Sequence, residues 1–278
     1  MDVVAVFMEW IPLIFVLVAI GCIAGLLAGL MGIGGGIVLV PGLYYSMSIL
    51  GYAPDHLMHM AVGTSLAAMA PTGLSSARAH YKRGAVDIKL VKNIGVGIFI
   101  GVIIGTLLAD YFSGDHLRVF FGFALMALAF VMIADPSRYS LKDKMPGQPW
   151  EGLMGSIIGT ISTLMGIGGA VMNVPFMSLC KVPMHTAVGT AASLGLFISI
   201  PGLIGFIIIG WGVSELPPLS LGYINLMAFA LIIPFSIIMA PVGAKLAHSL
   251  PVDKLRRVFA ILLIIIAGRM IWEIFMSS

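Results

Sequence analysis

Long apolar segments separated by short polar connections make up almost the whole chain. Five occur in each half, at about residues 10–30, 37–50, 57–79, 94–111 and 117–134, and then at about 152–165, 171–180, 184–210, 223–248 and 258–276. Most are about as long as a helix that crosses a bilayer, although three are shorter. The pattern predicts an all-α polytopic membrane protein, with a first repeat at 1–135, a cytoplasmic linker at 136–150 and a second repeat at 151–278.

The composition supports this prediction. Of the 278 residues, 60% are hydrophobic and only 10% are charged, whereas a soluble domain is roughly a quarter charged. The two cysteines, Cys22 and Cys180, both lie in apolar segments, so we expect neither a disulfide framework nor a cysteine-based metal site. The net charge of +3 is too small to indicate nucleic-acid binding. No basic region precedes the first apolar segment, which we therefore expect to be retained and not cleaved as a signal.

Two glycine-rich motifs interrupt the apolar segments at corresponding places. Met31–Pro41 reads MGIGGGIVLVP, and Met165–Pro175 reads MGIGGAVMNVP. Each glycine weakens a helix by roughly 1 kcal/mol relative to alanine, so several together predict a break. Backbone groups freed inside a bilayer are tolerated only where protein or a watery cavity covers them. Matching breaks in two halves therefore predict re-entrant hairpins that meet at a transporter's substrate site.

Further matches relate the two halves in the same order. HMAVGTS at 59–65 matches HTAVGTA at 185–191, GAVD at 84–87 matches GYIN at 222–225, and DHLR at 115–118 matches DKLR at 253–256. We interpret these matches as an internal repeat. A hairpin returns to its starting side and three full helices follow it, so each half crosses the membrane an odd number of times. The second half is then expected to be inverted.

The charged loops give the expected orientation. Basic residues are concentrated at Lys82–Lys92, in the linker at Lys142 and Lys144, and in a predicted turn at Lys254–Arg257, whereas the loop Trp211–Gly222 contains Glu215. The positive-inside rule places the three basic regions in the cytoplasm and the Glu215 loop outside. A parallel repeat would put one basic loop outside, so we favour inversion with both termini outside.

The chain resembles the TauE/SafE, or sulfite exporter, family of membrane anion transporters. The resemblance is carried by GLLAGLMGIGGGIVLVP at Gly25–Pro41 and GTISTLMGIGGAVMNVP at Gly159–Pro175, together with the VGTS and GAVD sequences. It implies a secondary carrier, without an ATPase partner, for sulfite, organosulfonates or other small anions in the bacterial inner membrane. The second copies depart from the first at Ala170, Ala191 and Asn225, so the two halves of the site need not be equivalent.

The candidate site follows from the breaks. Helices that begin after the glycines would point free N–H groups and positive dipole ends at an anion, and glycine lets the anion approach the backbone. Hydroxyls in the first turns of the following helices and one amide could add contacts. The expected substrate-binding residues are Gly32, Gly34, Gly35, Gly36, Thr64, Ser65, Gly166, Gly168, Gly169, Asn173 and Thr190.

Each assignment has a structural alternative. The glycines could serve only close helix packing, although packing motifs space glycines by four. The hydroxyls could bond to carbonyls of their own helix. The repeat-related His59 and His185 could relay protons or anions, or could be ordinary helix-start residues. Arg78, Lys82 and Arg83 could form an entry funnel for anions, or could report orientation alone.

The function expected from the sequence is secondary transport of a small oxyanion, with sulfite or an organosulfonate favoured, by alternating access around a site at the membrane midplane. No GxxxxGK sequence occurs, so the chain does not itself use ATP. We expect no enzyme activity, no cofactor and no metal. The expected partners are a small anion and the lipid bilayer, with homo-oligomerisation left open. The alternatives are a subunit of a larger membrane complex and an intramembrane hydrolase that uses Ser65 and His59.

Overall fold

The computed structural model describes residues 3–31, 34–134, 144–246 and 252–277, which form ten α-helices and one antiparallel hairpin. The helices of the first half are α1 (Val3–Met31), α2 (Gly36–Ile49), α3 (Pro54–Tyr81), α4 (Ile88–Tyr111) and α5 (Gly114–Ala134). Those of the second half are α6 (Trp150–Met165), α7 (Ala170–Leu179), α8 (Met184–Ile209), α9 (Leu226–Leu246) and α10 (Val252–Ser277). Strands β1 (Ser220–Leu221) and β2 (Ile224–Asn225) pair between α8 and α9.

Helix lengths confirm an all-α polytopic membrane protein. Within the described residues, five helical segments are long and apolar enough to span a bilayer, namely Ile11–Leu30, Ile88–Tyr111, Gly114–Ala134, Met184–Ile209 and Leu226–Leu246. The helices after the glycine motifs are short: α2 has 14 residues and α7 has 10, so they extend roughly 21 and 15 Å, against a hydrocarbon core of about 30 Å. The helices before the motifs differ, since α1 has 29 residues and α6 has 16.

Several helix boundaries differ from the sequence prediction; α1, for example, begins at Val3 and not at about residue 10. Helix α4 begins six residues before the predicted start, because Asp87 caps it: its Oδ1 accepts hydrogen bonds from the N–H groups of Lys89 and Leu90 at 2.9 and 3.1 Å. The predicted basic turn at Lys254–Arg257 is wrong, since these residues belong to the first turns of α10.

Eight of the ten described helices pack in pairs that join one half of the chain to the other. The most extensive contacts are between α1 and α9 and between α4 and α6, so the first helix of each half packs on the fourth helix of the other. The third helices, α3 and α8, pack on each other, as do the fifth helices, α5 and α10. The two halves are therefore interlocked, and neither has a separate core.

The equivalent helices α3 and α8 run antiparallel. Leu66 of α3 lies beside Gly202 of α8, while Gly73, further along α3, lies beside Leu196, which is earlier in α8. This is the arrangement that an inverted repeat requires. Which end faces the cytoplasm stays a prediction, and Lys142, on which it partly rests, lies outside the described residues.

Glycines spaced four residues apart hold the major helix pairs together. A Cβ atom at any of them would collide with or crowd the backbone of the facing helix, so only glycine allows this approach. They are Gly21, Gly25 and Gly29 on α1 against α9, and Gly97, Gly101 and Gly105 on α4 against α6. These regularly spaced glycines serve close packing, and Gly35 and Gly36 of the first motif also lie against facing backbone.

Candidate functional site

The two glycine motifs form tight loops with left-handed backbone. Gly34 and Gly35 have φ of 75° and 78°, and Gly166 and Gly169 have φ of 62° and 68°. Other residues adopt this region only with strain. Gly35 and Gly169 are the N-caps of α2 and α7, so both helices begin at these loops as predicted. Gly32 lies outside the described residues.

The two loops touch each other inside the protein. A Cβ atom at Gly36 would collide with the carbonyl oxygen of Gly166, and one at Gly34 would lie 3.5 Å from Cα of Gly168. All four glycines are buried. The N-termini of α2 and α7 therefore converge, and their first N–H groups have no partner within their own helices.

A small cavity lies where the loops meet α3 and α8. Its volume is about 10 Å³, roughly the room of one water molecule. None of the residues that line it is charged: they are Gly34, Met69, Gly73, Ser76, Gly168, Ala192 and Gly195. The junction is closed in this conformation, because a sulfite ion needs more space than a single water.

Asn173 and Ser162 are the polar side chains beside the N-terminus of α7. Both are 0% exposed, and Nδ2 and Oδ1 of Asn173 and Oγ of Ser162 have no hydrogen-bond partner among the described residues. A Cβ atom at Gly169 would lie 3.1 Å from Ser162 Oγ and 3.3 Å from Asn173 Nδ2. Since an unpaired buried polar group costs about 1–3 kcal/mol, the pair is expensive unless a ligand or water satisfies it.

The sequence predicts a binding role for Asn173 but not for Ser162. A comparison of the two copies could have pointed to Ser162, because the 134-residue offset aligns Ser162 with Ala28 and Asn173 with Leu39. Polar residues therefore replace apolar ones in the second copy only.

Ser65 holds the second loop in place. Its Oγ donates a 2.8 Å hydrogen bond to the carbonyl of Gly166, across the two halves of the chain. The equivalent Ala191 cannot make such a bond. The expectation that Ser65 and Thr64 lie in the first turn of their helix is wrong, since α3 begins ten residues before Thr64.

Thr64 and Thr190 make equivalent bonds between the halves. Thr64 Oγ1 accepts from the backbone N–H of Asn225 at 2.9 Å, and Thr190 Oγ1 accepts from that of Asp87 at 3.0 Å. Asn225 and Asp87 are themselves equivalent by the repeat and precede α9 and α4. Both threonines are 0% exposed. Each hydroxyl therefore has a backbone partner in the other half, and this partner is not a carbonyl of its own helix.

Met69 is a further residue that the sequence analysis missed. Its Sδ would lie 3.3 Å from a Cβ at Gly34 and 2.8 Å from one at Gly36, so the thioether covers the first loop. The 126-residue offset aligns Met69 with Gly195, which leaves the second loop uncovered at the same place. A methionine therefore covers the first loop, whereas the equivalent glycine leaves room for the small cavity beside the second loop.

The two histidines occupy different environments. His59 is 4% exposed, its Nε2 donates to the carbonyl of Ala109 at 2.9 Å, and its ring stacks on Tyr223 with centroids 4.9 Å apart. His185 is exposed at the start of α8. His59 and Ser65 bond to different carbonyls, which is not the arrangement of a nucleophile and its base.

Arg78, Lys82 and Arg83 line a groove on another face of α3. This groove and the cavity at the glycine loops share no lining residue. Ser76 lines the cavity and Arg78 lines the groove, and two residues on a helix are turned by about 200°. The three cations therefore line a space separate from the cavity, and their role as an entry funnel stays a prediction.

Comparison with known proteins gives consistent matches. The model of the family described as "Sulfite exporter TauE/SafE" matches residues 17–270. A "Probable membrane transporter protein" of Haemophilus influenzae is 34% identical over 251 residues, which is 90% of this chain and 95% of the relative. A "Probable membrane transporter protein YunE" of Bacillus subtilis is 27% identical over 277 residues, covering 93% and 97%. No solved structure matches the chain.

Proposed function

Because the chain belongs to the sulfite exporter TauE/SafE family of integral membrane proteins, we propose that it is a secondary transporter of a small oxyanion, sulfite or an organosulfonate. The substrate binds at the junction of the two glycine loops, and the two halves open that junction to either side in turn. The observation that carries this proposal is the buried, unpaired Ser162 and Asn173 beside the start of α7.

The chemistry of the junction suits an anion of moderate charge. The Ser162 hydroxyl and the Asn173 amide can donate hydrogen bonds, and the first N–H groups of α7 add donors together with the positive end of the helix dipole. No charged residue lines the cavity. An anion would thus be held by donors without a fixed cation, so release does not require breaking a strong ion pair.

Alternating access is supported by the inverted packing of α3 on α8. The second glycine loop is attached to the first half through the bond from Ser65 to Gly166, and the first loop packs against the second. A tilt of one half against the other would separate the two loops and widen the closed cavity between them. Met69 would leave the first loop in the open state, since its unbranched side chain adopts new rotamers easily.

The hydrolase alternative loses support, because Ser65 and His59 each bond to a backbone carbonyl. A role as a subunit of a larger complex is tested by the same experiment as transport. Purified protein in liposomes, with no other protein present, should release internal sulfite down its gradient faster than protein-free liposomes do. The double variant Ser162→Ala/Asn173→Leu is the matched control, because it introduces the residues that the first half carries.

The result that contradicts the proposal is flux of sulfite and of organosulfonates that is equal in the wild type, the double variant and empty liposomes. A panel of sulfite, sulfate, thiosulfate, organosulfonates and carboxylates, compared by thermal shift, then identifies the anion that binds best. Stabilisation by a carboxylate alone would mean that the substrate is not a sulfur oxyanion, whereas the proposed binding site would stay the same.

A further inference from the structure

A groove of about 620 Å³ lies between α3 and α9, one helix from each half. Its α3 wall is formed by Pro71, Leu74, Ser75, Arg78, Ala79 and Lys82, with Arg83 just beyond the helix, and its α9 wall by Ile237 and Pro241. Nothing in the function proposed above uses it.

The groove changes character along its length. Pro71 and Leu74 lie at one end and Arg78 and Lys82 towards the other, so the wall from residue 71 to residue 82 extends for eleven helical steps, or roughly 16 Å. All three cations are exposed, and no acidic residue lines the groove in the part of the chain that the structure describes. Arg83 Nη1 contacts only the carbonyl of Ala79, at 3.3 Å, among the bonds of the described residues. The cationic end thus has charge available for an anion.

The apolar end opens on an exposed apolar surface. Leu74 is 40% exposed, and Ile238, next to the groove on α9, is 66% exposed. Pro241 cannot donate to the carbonyl of Ile237, and Ser75 Oγ donates to that carbonyl at 3.4 Å instead. Because this backbone group is covered, the wall offers an apolar surface to a hydrocarbon chain.

We propose that this groove binds an anionic phospholipid. The phosphate lies among Arg78, Lys82 and Arg83, and an acyl chain lies along Leu74, Ile237 and Pro241. A free inorganic anion would use the cationic end alone, whereas a phospholipid matches both ends. Since α3 and α9 belong to different halves, the bound lipid would bridge them.

The test compares lipid binding by two variants that lose the same charge. Purified full-length protein is titrated with phosphatidylglycerol or phosphatidylcholine, and bound lipid is counted by native mass spectrometry. Arg78→Gln/Lys82→Gln should weaken phosphatidylglycerol binding roughly 30-fold, since each basic residue near an anionic surface contributes about fivefold. Lys89→Gln/Lys92→Gln is the control, because both residues are exposed on the neighbouring α4 and lie outside the groove.

A second pair tests the apolar end. Leu74→Trp fills the groove and should displace the lipid with the cations intact, whereas Ile238→Trp adds the same ring outside it. Inorganic phosphate at millimolar concentration should not release the lipid. Equal losses of phosphatidylglycerol binding in the two glutamine variants would overturn the proposal, because the attraction would then not depend on the groove. Release of the lipid by phosphate would also overturn it and would make the groove a site for free anions. Because the assay measures lipid and not flux, its result is independent of the transported substrate.

Discussion

The hydroxyl of Thr64 accepts a hydrogen bond from the backbone N–H of Asn225 at 2.9 Å. Thr190 makes the equivalent bond to Asp87 at 3.0 Å. The two bonds are reciprocal: each half uses a threonine of its third helix to hold the residue just before the fourth helix of the other half. Asp87 and Asn225 in turn accept hydrogen bonds from the first turns of α4 and α9. These two hydrogen bonds therefore connect the halves at the starts of α4 and α9.

Thr64→Val should destabilise the protein by about 1–3 kcal/mol, because valine keeps the shape but leaves a buried N–H of Asn225 without its acceptor. Unfolding in detergent, followed by circular dichroism, measures the change. Thr64→Ser keeps the acceptor and is the control. Unchanged stability together with lost anion binding would instead return Thr64 to the substrate-binding residues.

Gly169→Ala should abolish anion binding. Its Cβ would press on Ser162 and Asn173 and collide with Ile198, and the left-handed backbone adds roughly 1–2 kcal/mol of strain. Gly51→Ala separates these causes, since Gly51 has φ of 73° but nothing within 4 Å of its Cβ. We expect both variants to lose stability and only Gly169→Ala to lose binding in a thermal-shift assay. Loss of binding in both would mean that strain alone is responsible.

Asn173→Leu should weaken anion binding by about 1.5–3 kcal/mol, the range for a hydrogen bond to a charged group. The same change removes two unpaired polar atoms from a fully buried site, so the ligand-free protein should be as stable as the wild type or more so. Binding and unfolding measured on one preparation check both expectations. A large fall in stability with normal affinity would mean that Asn173 has a structural role.

Met69→Ala should widen the range of transported anions. The thioether covers Gly34 and Gly36, and its removal leaves space that costs about 2–5 kcal/mol of stability. Flux of a bulky organosulfonate relative to sulfite should rise in liposomes. Leu43→Ala, also buried but outside the lining of the junction, should lower stability without changing that ratio. An unchanged ratio in both variants would show that Met69 does not limit substrate size.

Lys144 and Glu215 should lie on opposite sides of the membrane, with Lys144 in the cytoplasm. Both side chains are exposed, so single cysteines at these positions should react with an impermeant reagent from opposite sides, in a background that lacks Cys22 and Cys180. Labelling of both positions from the same side would contradict the predicted orientation.

The sequence by itself determined which parts of the chain are helical and where the helices break. Both properties are local: apolar length decides whether a segment can span a bilayer, and consecutive glycines such as Gly34–Gly36 weaken a helix whatever surrounds it. The starts of α2 and α7 were predictable for the same reason. The helix start at Asp87 was missed because its cap was read as part of a loop.

Only the tertiary structure decided which polar groups have partners. Thr64, Thr190 and Asn173 look alike in sequence as hydroxyls or amides near a glycine motif, yet the threonines bond to backbone more than 100 residues away while Asn173 has no partner among the described residues. Similarly, Arg78 and Ser76 are two residues apart, but they line different spaces on opposite faces of α3. A sequence pattern reports local spacing, whereas the satisfaction of a buried group depends on which distant backbone the fold brings beside it.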